Sequence, residues 1–248
     1  MMATYKKSSM LTDTPLSFCP GCTHGIAHKL IAEVLEELKL EKNVIGVAPV
    51  GCAVFAYKFF NCDMQEAAHG RAPAVATGIK RVHPSKVVFA YQGDGDLASI
   101  GLAEIVHAAL RNENITVIFI NNSIYGMTGG QMAPTTLIGQ KTTTSPFGRE
   151  ASRCGNPIKV CEMLATQDGP VYLERAMLSD YANVIKAKRA IKKAFTYQME
   201  GKGFSLVELL SSCPTNWNMS PSDSLEFMKN EVTKEYPLGV YKDIGGNK

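Results

Sequence analysis

No stretch of this chain approaches the roughly 20 consecutive apolar residues that cross a bilayer, so no membrane-spanning helix is expected. The start, "MMATYKKSSMLTDTP", lacks an apolar h-region, and no secretory signal is expected either. Charge of one sign is also missing. The 26 basic and 23 acidic residues leave a net +3, which neither demands nor excludes a nucleic-acid partner. The basic run Lys186, Lys188, Arg189, Lys192 and Lys193 has no interleaved aromatics and reads as a solvated helix face, so nucleic acid is not an expected partner. An even, closely spaced cysteine set is absent as well. Seven cysteines in a chain too long for a disulfide scaffold point to a reducing, cytoplasmic compartment, where clustered Cys more often bind metal or do redox chemistry. Internal repeats and low-complexity tracts are lacking.

What is present is a 248-residue chain, 45% hydrophobic, long enough for one large α/β domain. Near-continuous apolar runs at 43–51, 86–92, 115–122, 170–176 and 204–211 read as strands buried on both faces of a parallel sheet. Helical patterns occupy 24–40, 97–113 and 183–203. This alternation predicts a doubly wound, mostly parallel α/β sheet in a single domain over 1–248, with ligands beyond the C-terminal strand ends. The stretch 123–156 is long, rich in Gly and Thr and weakly periodic, which in a compact domain marks a functional or disordered loop. The tail after Cys213 is expected to wrap the surface or reach a partner.

"YQGDGDLASIG" (91–101) follows a strand and opens a helix. Gly93, Gly95 and Ala98 formally match a dinucleotide fingerprint. The acid that a ribose needs about 20 residues on is replaced by Asn121-Asn122 at the end of the next strand, so the nicotinamide reading fails. A Mg²⁺ ion explains an acid in a phosphate-binding turn. Asp94 and Asn122, closing successive strands, could hold the ion, with the Ile124 carbonyl as a third oxygen, and bridge it to a diphosphate. The plain alternative is a turn Asp and a helix-capping Asp96.

"GDG", residues 96–120, then "NN" resembles the signature of thiamine-diphosphate enzymes. In that family the matching Asp and second Asn hold Mg²⁺, with a main-chain oxygen two residues later. The resemblance implies these roles for Asp94, Asn122 and Ile124. "IYGMTGGQMAPTT" resembles the diphosphate loop of the 2-oxoacid:ferredoxin oxidoreductases, which adds Thr128. On this resemblance Gly51, Cys52, Gly93, Gly95, Asp96, Tyr125 and Gly126 are also cofactor-binding positions.

Cys19 and Cys22 form a C-x-x-C; Cys52 and Cys213 each lie just past a predicted strand. Four thiolates suit zinc or a 4Fe-4S cluster, and spacing alone leaves both open. Cys62, Cys154 and Cys161 read as small buried hydrophobes. "CPGC", a Gly-Cys about thirty residues on, "HGRAPAVATGIK", the thiamine signature and a late strand-then-Cys occur in this order in the β subunits of 2-oxoacid:ferredoxin oxidoreductases, and the similarity covers nearly the whole chain. In those subunits the four matching Cys hold the iron–sulfur cluster nearest the thiamine. The commoner "CPGCG" has Thr23 in place of its last glycine here. The implied reaction converts a 2-oxoacid, CoA and oxidised ferredoxin to acyl-CoA, CO₂ and reduced ferredoxin.

His69 and Arg71 are candidate active-site residues, Arg being the natural binder of the carboxylate that every 2-oxoacid carries. No glutamate sits in a recognisable context for activating thiamine. In the resembled family an α subunit supplies it, with γ and δ subunits as further candidate partners. "AVFAYKFF" after Cys52 is mostly apolar and suits a branched-chain 2-oxoacid better than 2-oxoglutarate. The rival readings are a non-oxidative thiamine decarboxylase or synthase and a zinc-stabilised nucleotide-binding module.

Overall fold

The computed structural model describes residues 6–244; residues 1–5, part of the segment in which no secretory signal is expected, and residues 245–248 lie outside them. Helix α1 (His24–Glu37) leads into β1 (Val44–Ala48), followed by α2 (Ala56–Phe59), β2 (Asp63–Glu66), α3 (Ala72–Val82) and β3 (Val87–Gly93). A π-helical turn, Asp96–Ile100, and α4 (Leu102–Leu110) connect to β4 (Thr116–Asn121). The hairpin of β5 (Ile124–Tyr125) and β6 (Gln131–Met132) precedes α5 (Ala151–Cys154), α6 (Val160–Ala165), β7 (Tyr172–Met177), α7 (Tyr181–Met199) and β8 (Ser205–Leu210). The chain closes with α8 (Pro214–Trp217), α9 (Pro221–Phe227), a second π-helical turn, Met228–Val232, α10 (Thr233–Glu235) and β9 (Gly239–Asp243).

Seven strands form one sheet in the order β2-β1-β3-β4-β8-β7-β9, parallel except for β9, which pairs antiparallel with β7. The order agrees with the doubly wound architecture expected from the alternation of runs. It also explains their apolar character, because alternate residues of the central strands feed two cores. In β3, Phe89 and Tyr91 face the layer that contains α1 and α7, whereas Val88 and Ala90 face the layer of α3, α4 and α6.

The expected helix 97–113 is divided. Its first turn is π-helical, and α4 starts only after Gly101. The cause is a close approach to the loop before α3: a Cβ on Gly70, where φ is +78°, would lie 2.6 Å from the Gly101 nitrogen. The tail after Cys213 does run over the surface as short helices, but it then returns to the sheet as edge strand β9. The long stretch after Ser123 is ordered around Arg149. This buried guanidinium donates to the carbonyls of Pro134 (2.9 Å), Thr136 (2.7 Å), Gly155 (3.0 Å) and Asn156 (2.8 Å).

The order of connections reverses between β1 and β3: from β1 the chain moves out to β2, from β3 it moves across to β4. That switch point, at the carboxyl ends of the strands, is where an open α/β sheet binds ligands. No helix among the described residues is long and apolar enough to cross a membrane.

Candidate active site

Four neighbouring strands, β1, β3, β4 and β8, deliver the chemistry. Beyond their carboxyl ends lie Gly51-Cys52, Asp94, Asn122 and Cys213, and two adjoining cavities open among them. The first, of about 130 Å³, is lined by every residue expected to contact the cofactor or Mg²⁺: Gly51, Cys52, Gly93, Asp94, Gly95, Asp96, Asn122, Ile124, Tyr125, Gly126 and Thr128. His69 also lines it.

Asp94 is buried, and burial pushes its carboxyl up to about 6 against the hydrogen bonds that hold it down. It accepts from Thr135 Oγ1 (2.6 Å) and from the main-chain N–H groups of Gly95 (2.8 Å) and Asn122 (3.2 Å). Asn122 Oδ1 accepts from the Ile124 N–H at 3.3 Å, an Asx turn that brings Asp94, Asn122 and Ile124 to one rim of the cavity. Ser123 pays for that turn with a left-handed φ of +61°. Oxygen donors from a carboxylate and an amide are what Mg²⁺ takes. The glycines fit a phosphate-bearing ligand as well: an added Cβ at Gly51 or Gly93 would meet no protein atom within 4 Å, so both leave the cradle open. Gly95 is small for a different reason, since its Cβ would lie 2.2 Å from the Tyr125 ring.

Asp96 caps no helix. It is buried and accepts from His69 Nδ1 (2.5 Å), the Gly70 N–H (2.8 Å) and Gln92 Nε2 (2.6 Å). With Nδ1–H donated to Asp96, Nε2 is the His69 nitrogen left to the cavity. Arg71 lies outside both cavities. Its guanidinium pairs with Glu104 on α4 and donates to the Ile100 carbonyl at 3.3 Å.

The second cavity, of about 240 Å³, brings together Cys19, Cys22, Cys52 and Cys213 with Phe18, Phe55 and Asn216. It shares a wall of His24, Cys52, Asn122, Gly126 and Met127 with the first. Burial first, with the neighbouring thiols adding to it, pushes the Cys22 thiol up to about 12 and Cys52 up to about 11. Burial also raises Cys213. Among the described residues no three His, Cys, Asp or Glu side chains converge at the spacing of a single shared ion; the four thiols ring a cavity instead. Cys154 is exposed on α5, Cys161 is buried in the core and Cys62 lies near the polar edge strand, all apart from this cavity.

Two functional positions escaped the sequence reading. Thr23 is buried, and its Oγ1 lies 2.7 Å from Ser211 Oγ and accepts from the Ser212 N–H at 3.1 Å. It ties the C-x-x-C turn to the end of β8, a task no glycine could do. His24 stands in the wall between the cavities with Nδ1 2.5 Å from the Tyr91 hydroxyl, and burial pushes its pKa down to about 3, which keeps the imidazole neutral. Only the proximity of His24 to the cysteine motif could have flagged it.

Comparison with known proteins shows the family. The family described as "Thiamine pyrophosphate enzyme, C-terminal TPP binding domain" matches residues 49–209. The 2-oxoglutarate synthase subunit KorB of Methanocaldococcus jannaschii is 40% identical over 87% of this chain and 77% of that subunit. The chain belongs to the thiamine-dependent 2-oxoacid:ferredoxin oxidoreductase family. The ketoisovalerate oxidoreductase subunit VorA of Methanothermobacter marburgensis is 50% identical over 93% of this chain, which spans 48% of that subunit's length. A solved structure of this oxidoreductase family, the 2-oxoglutarate:ferredoxin oxidoreductase of Magnetococcus marinus with 2-oxoglutarate, coenzyme A and succinyl-CoA bound, superposes with a TM-score of 0.80 at 25% identity, covering 100% of this chain and 88% of its counterpart.

Proposed function

We propose that this chain is the thiamine-diphosphate-binding, iron–sulfur part of an oxidoreductase that converts a branched-chain 2-oxoacid and CoA to acyl-CoA and CO₂, passing electrons to ferredoxin. The observation that carries this reading is the shared wall between a glycine-lined Asp/Asn cavity and a four-thiol cavity. A decarboxylase without an electron acceptor has no use for the second.

Thiamine diphosphate, when bound, supplies the carbanion chemistry that splits the 2-oxoacid. Asp94 and Asn122, with the Ile124 carbonyl, would hold Mg²⁺ on the diphosphate, and Gly51 and Gly93 leave the main chain open to it. Asp96 fixes the His69 ring, so that His69 Nε2 can hold or deliver a proton at the cavity. Cys19, Cys22, Cys52 and Cys213 hold a 4Fe-4S cluster, and the cavity between them offers room for a body larger than one ion. The activating glutamate comes from a partner α subunit. Ferredoxin and CoA complete the reaction, and γ and δ subunits fit the same multi-subunit plan.

The branched-chain assignment rests on chemistry as well as on the name of the 50%-identical relative. Among the described residues no Lys or Arg lines either cavity, whereas Val50, Ala53, Phe55 and Met127 do. Lys58, the one charge in the segment after Cys52, lies over the Phe55 ring, 4.8 Å from its centroid. A second carboxylate, as in 2-oxoglutarate, would find no cation on this side.

The test is to purify the chain anaerobically with its partner subunit and to measure iron, thiamine diphosphate and ferredoxin reduction with a panel of 2-oxoacids. We expect iron and thiamine diphosphate to copurify and 2-oxoisovalerate to give the highest kcat/KM. Zinc without thiamine diphosphate would replace this reading with a metal-stabilised nucleotide-binding module.

A further inference from the structure

The five residues from Cys213 to Trp217 touch both halves of the site. Asn216 Nδ2 donates to the Gly126 carbonyl at 3.0 Å and lies 3.3 Å from Cys213 Sγ. Trp217, next in sequence, donates its indole N–H to the Asn122 carbonyl at 3.1 Å. One short helical turn beyond the fourth cysteine therefore grips two main-chain carbonyls of the diphosphate side, one at the metal-binding strand end and one in the loop that follows.

The packing there leaves no slack. A Cβ on Gly126 would lie 3.1 Å from Cys52 Sγ and 3.6 Å from both Asn216 Nδ2 and Cys213 Sγ. At Gly130 it would lie 3.1 Å from Asn216 Oδ1. The glycine loop thus runs directly over two of the four thiols, with Asn216 as the pin. Trp217 is buried in its own apolar cluster with Ile124 and Met228, its ring edge-on to Phe227 at 5.2 Å, so the indole is not free to swing away. On the other side, Ser212 Oγ donates to the Gly21 carbonyl at 2.8 Å, which binds the C-x-x-C turn to the same segment.

We propose that Asn216 and Trp217 are positioning residues that couple the four-thiol cavity to the diphosphate loop. A metal centre held by Cys213 orders the loop that binds thiamine diphosphate, and the cofactor in turn orders the thiol cavity. Asn216 has a second effect that Trp217 lacks. Its N–H points at Cys213 Sγ, and a donor there would favour the reduced, more negative state of a cluster held by that thiol, raising its reduction potential. The proposal rests on the thiamine and cluster reading above and adds a thermodynamic link between its two sites. Such a link is reciprocal: whatever factor the metal contributes to cofactor affinity, the cofactor contributes to metal affinity.

The experiment uses the anaerobically purified full chain with its partner subunit, and the variants Asn216→Leu, Asn216→Asp and Trp217→Phe. Thiamine diphosphate affinity is measured by calorimetry with saturating Mg²⁺, before and after removal of the metal centre by chelator. The cluster midpoint potential is measured by EPR-monitored titration. In the wild type, chelation should weaken thiamine diphosphate binding. N216L should weaken it by about tenfold with the cluster intact, the lower bound for loss of a supporting shell, and chelation should then add little. N216L should also move the midpoint potential to a more negative value. N216D conserves shape, so it keeps the test open if N216L loses iron, and it should move the potential in the same direction by placing an oxygen beside the sulfur. W217F should weaken the cofactor but leave the potential unchanged, because the indole N–H donates to the Asn122 carbonyl and not to a thiol. Equal loss of cofactor affinity on chelation in wild type and N216L, or an unshifted potential in N216D, overturns the proposal. Zinc in place of iron in the wild type would overturn the cluster reading instead, and the chelation comparison would still decide the coupling.

Discussion

Asn121 donates from Nδ2 to Glu208 Oε1 at 2.8 Å on the buried side of the strand end, while its neighbour Asn122 faces the cavity beside Asp94. Consecutive residues of a strand point to opposite faces, so the two asparagines of the thiamine signature divide the work. The first anchors the end of β4 to the core, and the second lines the cavity. The anchor is itself ionic. Glu208 Oε2 lies 2.8 Å from Arg175 Nε, and Arg175 Nη2 lies 2.6 Å from Glu162, with the guanidinium completely buried.

Removing one partner of a buried ion pair leaves an uncompensated charge, which typically costs about 3–5 kcal/mol. Glu162 still partners Arg175 here, so Glu208→Gln should cost about 3 kcal/mol in urea unfolding. Asn121 also loses its charged acceptor in that variant, so thiamine diphosphate affinity should fall with stability. An E208Q protein with wild-type unfolding and wild-type cofactor affinity would show that the core does not set the strand end.

Asp94 makes the opposite prediction. In the proposed function its role lies with the ligand, and burial without a cation disfavours its charge. Asp94→Ala should therefore keep or raise the stability of the cofactor-free protein. Thiamine diphosphate affinity should fall by about a hundredfold or more, beyond what outer-shell losses cost at metal sites. Calorimetry with and without Mg²⁺ reads this directly; a variant that binds as well as the wild type would remove Asp94 from the site.

For the thiols, anaerobic protein should carry about four irons per chain, as a Cys₄-bound cubane requires. Cys52→Ala and Cys213→Ala should each lose most of that iron. Cys154→Ala should lose none, since Cys154 is exposed on α5 and away from the cavity. Iron content of the three proteins settles the ligand set, and retention in C213A would be fatal to it.

His28 predicts an acid limb of stability. It is fully buried, stacked on Phe60 with centroids 4.8 Å apart, and burial pushes its pKa down from 6.5 to about 4. The unfolded chain then binds a proton that the native protein refuses. Stability is full above pH 6.5 and is lost as pH falls toward 4, by up to about 3 kcal/mol for a shift of this size. His28→Phe keeps the stacked ring without the titration, so its urea midpoint should change less between pH 7.5 and 4.5 than that of the wild type. Identical pH dependence would show that His28 does not carry this limb.

The sequence revealed what repeats a simple rule. Strands β1, β3, β4, β7 and β8 were legible because burial on both faces writes an apolar run. Edge strands were not: β2 reads Asp63-Met64-Gln65-Glu66 and β9 reads Gly239-Val240-Tyr241-Lys242-Asp243, each with polar residues that face solvent. Asp94, Asn122 and the four cysteines could be named because the acidic glycine turn, the paired asparagines and the C-x-x-C stand out as motifs along the chain. Thr23 could not, since its partners Ser211 and Ser212 are 188 and 189 residues away. Arg71 is the opposite case: its type suits a carboxylate ligand, and in this chain it pairs with Glu104, a partner its sequence neighbours do not announce.

Arg149 was equally silent in the sequence, and it supports the sharpest test of the loop. Its guanidinium donates to main-chain carbonyls of two separate segments, 133–136 and 154–156. The first segment carries Thr135, whose hydroxyl donates to Asp94, and Thr136, whose hydroxyl donates to the Ser123 carbonyl at 2.6 Å. Arg149 is therefore two steps from the Asp94 carboxylate without lining that cavity. Lysine cannot replace it: an ammonium has three donors around one point, whereas the guanidinium spreads five across a rigid plane. Hydrogen bonds to charged groups are worth about 1.5–3 kcal/mol each, and several would go together without adding fully. Arg149→Lys should thus cost about 3 kcal/mol, lowering Tm by about 6–12 °C in a domain of this size. Limited proteolysis should cut first between residues 137 and 156, and thiamine diphosphate affinity should fall by about tenfold as Thr135 loses its fixed place beside Asp94. If Arg149 only filled space, Arg149→Met would restore the affinity that R149K loses; recovery in R149M would refute the carbonyl-clamp role.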